Sequence, residues 1–170
     1  MFTSLNAKQA PAADCETLFD RGVICLCSRQ YAEGYFYFNQ CLKEYSERPA
    51  VYYNIAVCCL ACGEYDNALG VLEQGYNIVL SSESGFESSP DATFKKLIGV
   101  QNGMEESYPA VMLPDFHVLF NSETKLRFQR MMADCYAGQG NRIKWGRIAA
   151  LLEKYKYPNI EKVRLDMAGE

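Results

Sequence analysis

The cysteines are the residues of this sequence whose type and spacing most suggest chemistry. The chain has eight cysteines and one histidine among 170 residues. Cys59 and Cys62 form a CxxC pair, and Cys58 lies one helical turn before Cys62. A structural zinc site needs four ligands, usually from two such pairs, and the sequence has no second CxxC. A redox CxxC normally opens a helix, where the helix dipole stabilises a thiolate. This pair is expected at the end of a helix, where the dipole opposes thiolate formation.

Buried packing is therefore the favoured role of the cysteines, because Cys acts as a small apolar residue where helices approach closely. A role of Cys58, Cys59 and Cys62 beyond packing stays open. His117 follows Asp115 closely, but no nucleophile or metal-ligand set accompanies it. We expect no catalytic residue, no metal and no cofactor, and the chain is not interpreted as an enzyme.

Charge and hydropathy exclude several classes of protein. The 17 basic and 21 acidic residues give a net charge of −4, so no nucleic-acid partner is expected. Residues 126–170 are nevertheless net positive, which could steer an acidic partner to that end. The N-terminus lacks the apolar core of a signal peptide, and no uncharged run is long enough to span a bilayer. We expect a cytoplasmic protein without membrane insertion.

The elements that position these residues repeat along the chain. Residues 31–34 align with residues 65–68 at an offset of 34, and the same offset pairs Cys25 with Cys59. Each block has the apolar spacing of two short amphipathic helices joined by a turn. A period of 34 residues with this pattern indicates a stacked array of helix pairs.

The blocks resemble the tetratricopeptide repeat family. The resemblance rests on aromatic, aliphatic and small residues at the positions of that family's consensus. In the second block these residues are Tyr52, Ile55, Ala56, Cys59, Ala68 and Gly75; in the first they are Leu18, Gly22, Cys25, Gly34 and Cys41; in the third they are Ala133, Tyr136 and Gly140. Arg21 departs from the consensus, and Trp145 occupies a position that is usually small. The resemblance implies an all-α array of antiparallel helix pairs with about three repeats.

The resemblance divides the chain into four segments. Residues 1–13 are predicted to be a flexible tail, and residues 14–82 to form two repeats. Residues 126–170 are predicted to form a third repeat, with a helix over 143–156, and a capping helix from Asn159. Residues 83–125 begin with a turn-rich run, followed by a predicted helix around Phe94 that ends near Gly103. Pro109 and Pro114 then exclude a regular helix across the apolar residues between them. This segment is either a degenerate repeat with an insertion or an excursion packed across the groove.

The family implies that the first helix of each repeat lines a concave groove. The groove positions form an apolar strip in the first two blocks and a charged one in the third. The predicted groove residues are Phe19, Val23, Leu26, Tyr53, Asn54, Val57, Leu60, Arg127, Arg130 and Asp134. Family members that clamp chaperone tails carry Lys and Asn where this chain has Phe19 and Val23. Only Asn54 matches that clamp, so a chaperone-tail ligand is not expected.

We therefore expect a non-catalytic module that binds a peptide segment of a partner protein. Such a peptide would have hydrophobic anchors and an acidic flank that meets Arg127 and Arg130. Two alternatives stay open: a protein similar to type III secretion translocator chaperones, and a self-associating scaffold subunit. A strip this apolar would not stay exposed in a monomer, so the tail, residues 83–125 or a second copy could also cover it.

Overall fold

The computed structural model describes residues 14–82, 92–104 and 108–168. Every regular element in these ranges is helical, which confirms the predicted all-α class. The helices are α1 (Cys15–Cys27), α2 (Tyr31–Cys41), α3 (Pro49–Ala61), α4 (Tyr65–Ser81), α5 (Ala92–Asn102), α6 (Phe116–Leu119), α7 (Asn121–Gly138), α8 (Arg142–Leu152) and α9 (Pro158–Ala168). A 3-10 turn over Glu153–Tyr155 follows α8. The predicted tail 1–13 and most of the turn-rich run lie outside the described residues.

Three helix hairpins stack in chain order. The hairpins are α1 with α2, α3 with α4, and α7 with α8. The second helix of each of the first two hairpins packs against the first helix of the next, as α2 does on α3 and α4 does on α7. The helices α1, α3 and α7 share one side of the stack, which we call the inner face.

Local sequence accounts for where these helices begin and end. Asp14 caps α1, since its carboxylate accepts a hydrogen bond from the Thr17 amide at 2.7 Å. Pro49 begins α3, where a missing N–H costs nothing. Gly63 and Gly140 follow α3 and α7 with φ of 76° and 69°, a left-handed conformation that glycine adopts without strain.

Small residues set the spacing between hairpins. A Cβ built on Gly75 of α4 would lie 2.7 Å from the Cβ of Tyr52 and 2.8 Å from the ring of Phe128. Gly34 of α2 likewise approaches the thiol of Cys58, with a built Cβ 3.3 Å from its Sγ. These are two of the aligned small positions, so their residue type is explained by packing. Helix α3 lies between neighbours on all sides, and its residues from Pro49 to Cys59 are buried.

The boundaries of the third hairpin differ from the sequence prediction. Helix α7 begins at Asn121, five residues before the predicted start of the third repeat, because Thr124 and Phe128 already face the core. The predicted helix over 143–156 ends at Leu152 and continues only as the 3-10 turn. The predicted capping helix is present as α9, which packs against α7. No helix among the described residues has the length and apolar content that a membrane crossing requires.

Candidate functional site

Residues 108–112 lie in the middle of the inner face. The side chain of Asn54, on α3, donates to the Met112 carbonyl at 2.9 Å and accepts from the Met112 amide at 2.8 Å. Met112 is fully buried. Residues 108–112 therefore correspond to the second of the two alternatives for residues 83–125, an excursion packed across the groove. The inner face thus binds a non-helical segment of its own chain, residues 108–112, through the backbone of that segment.

A polar cluster centred on α7 holds Tyr108, the first residue of this segment. The guanidinium of Arg130 lies 3.7 Å from the Tyr108 ring centroid and 4.4 Å from that of Tyr157. Its Nε donates to the Asn159 side chain at 2.6 Å. Asp134 accepts hydrogen bonds from the Tyr108 hydroxyl at 2.6 Å and from the Asn159 amide at 2.7 Å.

Burial controls the protonation of this cluster. Desolvation raises the pKa of Asp134, and the two hydrogen bonds to its carboxylate only partly offset this effect. Desolvation also lowers the pKa of the Arg130 guanidinium, although the rings around it favour the cation. The two charges are satisfied inside the molecule, so the cluster joins α7, α9 and residues 108–112.

The structure therefore corrects the expectation that Arg130 meets the acidic flank of a ligand. Arg130 is only 4% exposed. Arg127 is also engaged, since it lies over the Phe116 ring at 4.3 Å and faces Glu123 at 3.7 Å. Asp134 is bound to Tyr108 and Asn159 and is likewise not available to a ligand.

Three other predicted groove residues are buried inside the molecule. Phe19 packs edge-on against Phe38 within the first hairpin, with 5.3 Å between ring centroids. Tyr53 packs against Phe128 at 5.4 Å. Burial raises the pKa of the Tyr53 hydroxyl to about 12. Asn54 is occupied by the backbone of Met112. Tyr53 and Asn54 are core because the third hairpin and residues 108–112 close over them, whereas Phe19 is buried against the second helix of its own hairpin.

An open part of the inner face remains beside residues 108–111. This region, which we call the open groove, has a volume of about 660 Å³ and lies between the first two hairpins and the bound segment. Its lining residues are Leu26, Cys27, Arg29, Tyr31, Val57, Leu60, Ala61, Tyr108, Pro109, Ala110 and Val111. Leu26, Val57 and Leu60 were predicted for the groove. Val23 is half-buried and packs against the core.

Sequence reasoning missed the residues that give the open groove its rim and one of its walls. Arg29 and Tyr31 lie in the turn between α1 and α2 and at the start of α2, whereas the repeat pattern assigns the groove to first helices alone. Arg29 is exposed and has a φ of 59°. The apolar run between Pro109 and Pro114 was a signal for the wall, because it is too interrupted for a helix and too apolar for a solvated loop.

The thiols at the C-terminal end of α3 line a second cavity, which shares Tyr31 with the open groove. Cys58, Cys59 and Cys62 surround about 210 Å³ together with Tyr31 and Tyr35. Desolvation raises the pKa of Cys58 to about 12 and that of Cys59 to about 11, so both stay protonated near neutral pH. Within the described ranges, no group of three or more His, Cys, Asp or Glu side chains is arranged to hold a metal ion.

His117 lies at the start of α6 and is half-buried. Burial lowers the pKa of its imidazole, the Asp115 carboxylate opposes that shift, and the Arg48 guanidinium adds to it. None of these neighbours forms a nucleophile–base pair with it. The open groove, at about 660 Å³, is larger than the thiol-lined cavity of about 210 Å³ and is taken as the candidate site.

Comparison of the chain with protein-family models, curated proteins and solved structures gives no match. The geometry of the inner face is therefore the basis on which a function is proposed.

Proposed function

We propose that the chain is a tetratricopeptide-like interaction module that binds a peptide segment of a partner protein in the open groove. The observation that carries the proposal is the groove itself. Its volume of about 660 Å³ lies within the ~300–1,000 Å³ typical of ligand sites. The stacked hairpins support the repeat assignment. The proposal includes a non-catalytic role and a cytoplasmic location, since the cytosol keeps free thiols such as these reduced.

The groove's lining indicates the chemistry of the peptide. Leu60 and Val111 offer an apolar surface for aliphatic or aromatic anchors, and the nearly fully buried Val57 lies beneath them in the floor. Arg29 stands at the rim, and no described residue forms an ion pair with it. A carboxylate next to the anchor would therefore meet Arg29 instead of Arg127 and Arg130. The two hydrogen bonds between Asn54 and the Met112 backbone support the proposal, because a non-helical segment of the chain already lies on this face.

The test is selection from a random peptide library displayed on phage, with the wild-type protein as bait. We expect enrichment of peptides with apolar anchors and an acidic neighbour. Leu60→Glu should weaken binding at least about tenfold, because a carboxylate would then lie in the apolar floor. Ala61→Glu, at an exposed position, blocks the rim and repels the acidic flank without touching the core.

Leu80→Glu is the matched control, since Leu80 is an exposed leucine on α4 outside the groove. It should bind the selected peptides as the wild type does. Selected peptides that bind Leu60→Glu and Ala61→Glu as tightly as the wild type would exclude the open groove as their site.

A further inference from the structure

A small polar cavity lies beside the open groove. This cavity, which we call the polar cavity, has a volume of about 20 Å³. Its lining includes Tyr53 of α3, Glu123 and Arg127 of α7, and Tyr157, the residue before α9. Tyr108 and Ala110 line both the polar cavity and the open groove, so one stretch of the chain forms a wall of each.

Two buried tyrosine hydroxyls belong to this lining. Tyr53 is 1% exposed and Tyr157 is 2% exposed. Neither hydroxyl forms a hydrogen bond with a described residue, whereas the hydroxyl of Tyr108 donates to Asp134. Burial raises the pKa of Tyr53 and of Tyr157, so both hydroxyls stay protonated near neutral pH and can donate. Buried polar groups of this kind are normally satisfied by protein or by ordered water.

The ion pair in the same lining is too long for a direct hydrogen bond. The Nε atom of Arg127 and the Oε1 atom of Glu123 lie 3.7 Å apart, beyond the ~2.7–3.2 Å of an N–H···O bond. Both side chains are mostly buried. A polar pair at such a distance indicates a bridging water. Water can accept from Arg127 or a tyrosine hydroxyl and donate to the Glu123 carboxylate, so it suits both kinds of group.

Size and charge select the ligand. A cavity needs about 10–15 Å³ to hold one water molecule, so the polar cavity has room for one water and excludes most organic molecules. The charges near it are balanced, since Arg127 faces Glu123, and Arg130 is balanced by Asp134. An added ion would leave a net charge in a site that is largely removed from solvent. The site therefore favours a neutral molecule that both donates and accepts.

We propose that the polar cavity binds one ordered water molecule, which joins the hydroxyls of Tyr53 and Tyr157 to the Arg127–Glu123 pair. This water connects α3 and α7 with the residue that precedes α9. It adjoins Tyr108 and Ala110, so it contributes to the position of the wall of the open groove. The site does not depend on what the open groove binds.

Oxygen-17 magnetic relaxation dispersion, which counts long-lived water molecules inside a protein, tests the proposal. The double variant of Tyr53→Phe with Tyr157→Phe keeps both rings and removes both hydroxyls. It should contain one long-lived water fewer than the wild type, and circular dichroism verifies that it is folded. A shared water also couples the two hydroxyls. The effects of the single variants on the unfolding equilibrium constant should therefore deviate from a simple product by at least about twofold.

Tyr76→Phe is the matched control, because the Tyr76 hydroxyl accepts directly from Gln129 at 2.9 Å. It should keep the wild-type number of long-lived waters, as should Leu60→Glu in the open groove. Equal numbers in the wild type and the double variant, or single-variant effects that simply multiply, would overturn the proposal. So would a thermal midpoint that rises with chloride at constant ionic strength in the wild type alone, because the ligand would then be an anion.

Discussion

Asn54 and Met112, 58 positions apart in the sequence, are joined by two buried hydrogen bonds that use both polar atoms of one amide side chain. The amide presents a donor to the Met112 carbonyl and an acceptor to its N–H, so it satisfies the backbone of a residue outside any helix. This contact turns residues 108–112 into a wall of the open groove. It also explains why a polar residue is tolerated at the centre of α3, where Asn54 is fully buried.

Replacement of Asn54 with Ala should destabilise the fold by about 2–4 kcal/mol, since it leaves a buried N–H and a buried C=O without partners. Urea denaturation measures the change, and hydrogen exchange should show that the Met112 amide loses protection first. Asn39→Ala is the control, because Asn39 is half-buried and, among the described residues, its side chain hydrogen-bonds to the Tyr35 carbonyl of its own helix alone. Its effect should stay within about 0.5 kcal/mol. Equal losses from the two variants would contradict the assigned role of Asn54.

The sequence was sufficient to predict the helical class and the pairing of the first two hairpins, because these depend on local spacing. Tyr65, Ala68 and Gly75 each occupy the packing position that the 34-residue offset implies. It was not sufficient to predict the start of α7, because Asn121 and Thr124, ahead of the predicted start, are buried by packing that local spacing does not encode. Local propensity carries no information about such contacts.

The candidate site was predictable only in part, for a related reason. Val57 and Leu60 follow from the periodicity of a first helix, and they do line the open groove. Arg130 follows from the same periodicity, yet Tyr108 and Tyr157 enclose it. The pattern identifies which residues face inward, but it does not reveal that a later stretch of the chain returns to cover them.

Replacement of Arg130 with Lys should destabilise the fold by about 1–3 kcal/mol, although the charge is kept. An ammonium cannot stack between two rings, and it loses the directional bond from Nε to Asn159. Thermal denaturation followed by circular dichroism measures the shift. Arg21→Lys, on the exposed side of α1, is the control and should leave the midpoint within experimental error. A midpoint for Arg130→Lys equal to that of the wild type would show that charge alone is enough.

Two glycines of α4 should respond in opposite directions to replacement by Ala. At Gly75 the added methyl group would overlap Tyr52 and Phe128, so the free energy of unfolding should fall by about 1–3 kcal/mol. A Cβ built on Gly70 would meet no described atom within 4 Å beyond the nearby backbone of its own helix, so the higher helix propensity of Ala should raise the free energy of unfolding by about 0.5–1 kcal/mol. Urea denaturation of both variants gives the signs directly. Destabilisation of similar size at both positions would contradict the prediction that crowding dominates at Gly75 and helix propensity at Gly70.

The thiols should react with a disulfide reagent such as DTNB at widely different rates. Cys27 and Cys62 are exposed and should react first. Cys58, Cys59 and Cys135 are buried with raised pKa values, of about 12, 11 and 12, so they hold little thiolate near neutral pH. Cys62→Ser should remove one fast equivalent and leave the slow phase unchanged. Cys59→Ser should leave the fast phase intact, and loss of fast reaction in that variant would indicate a coupled pair.

Protonation of His117 should lower stability as the pH falls. Burial holds the pKa of the folded imidazole below the 6.5 of an exposed histidine, so the unfolded chain binds the proton more readily. The stabilising contribution is complete above about pH 6.5 and is lost as the pH falls from there through the folded pKa. The buried carboxyls Glu123 and Asp134 have raised pKa values, so their protonation increases stability as the pH falls. The contribution of His117 is therefore obtained by comparing the wild type with a variant that lacks the imidazole.

His117→Asn should therefore show a flatter decline of the unfolding free energy than the wild type between pH 7.5 and pH 5.5, measured by urea denaturation. Asp115→Asn should show a steeper one, because the Asp115 carboxylate favours the imidazolium and its removal lowers the folded pKa further. If the unfolding free energy of the wild type declined no more steeply than that of His117→Asn, the imidazole would have the same pKa in the folded and the unfolded chain. The burial of His117 would then have no energetic consequence.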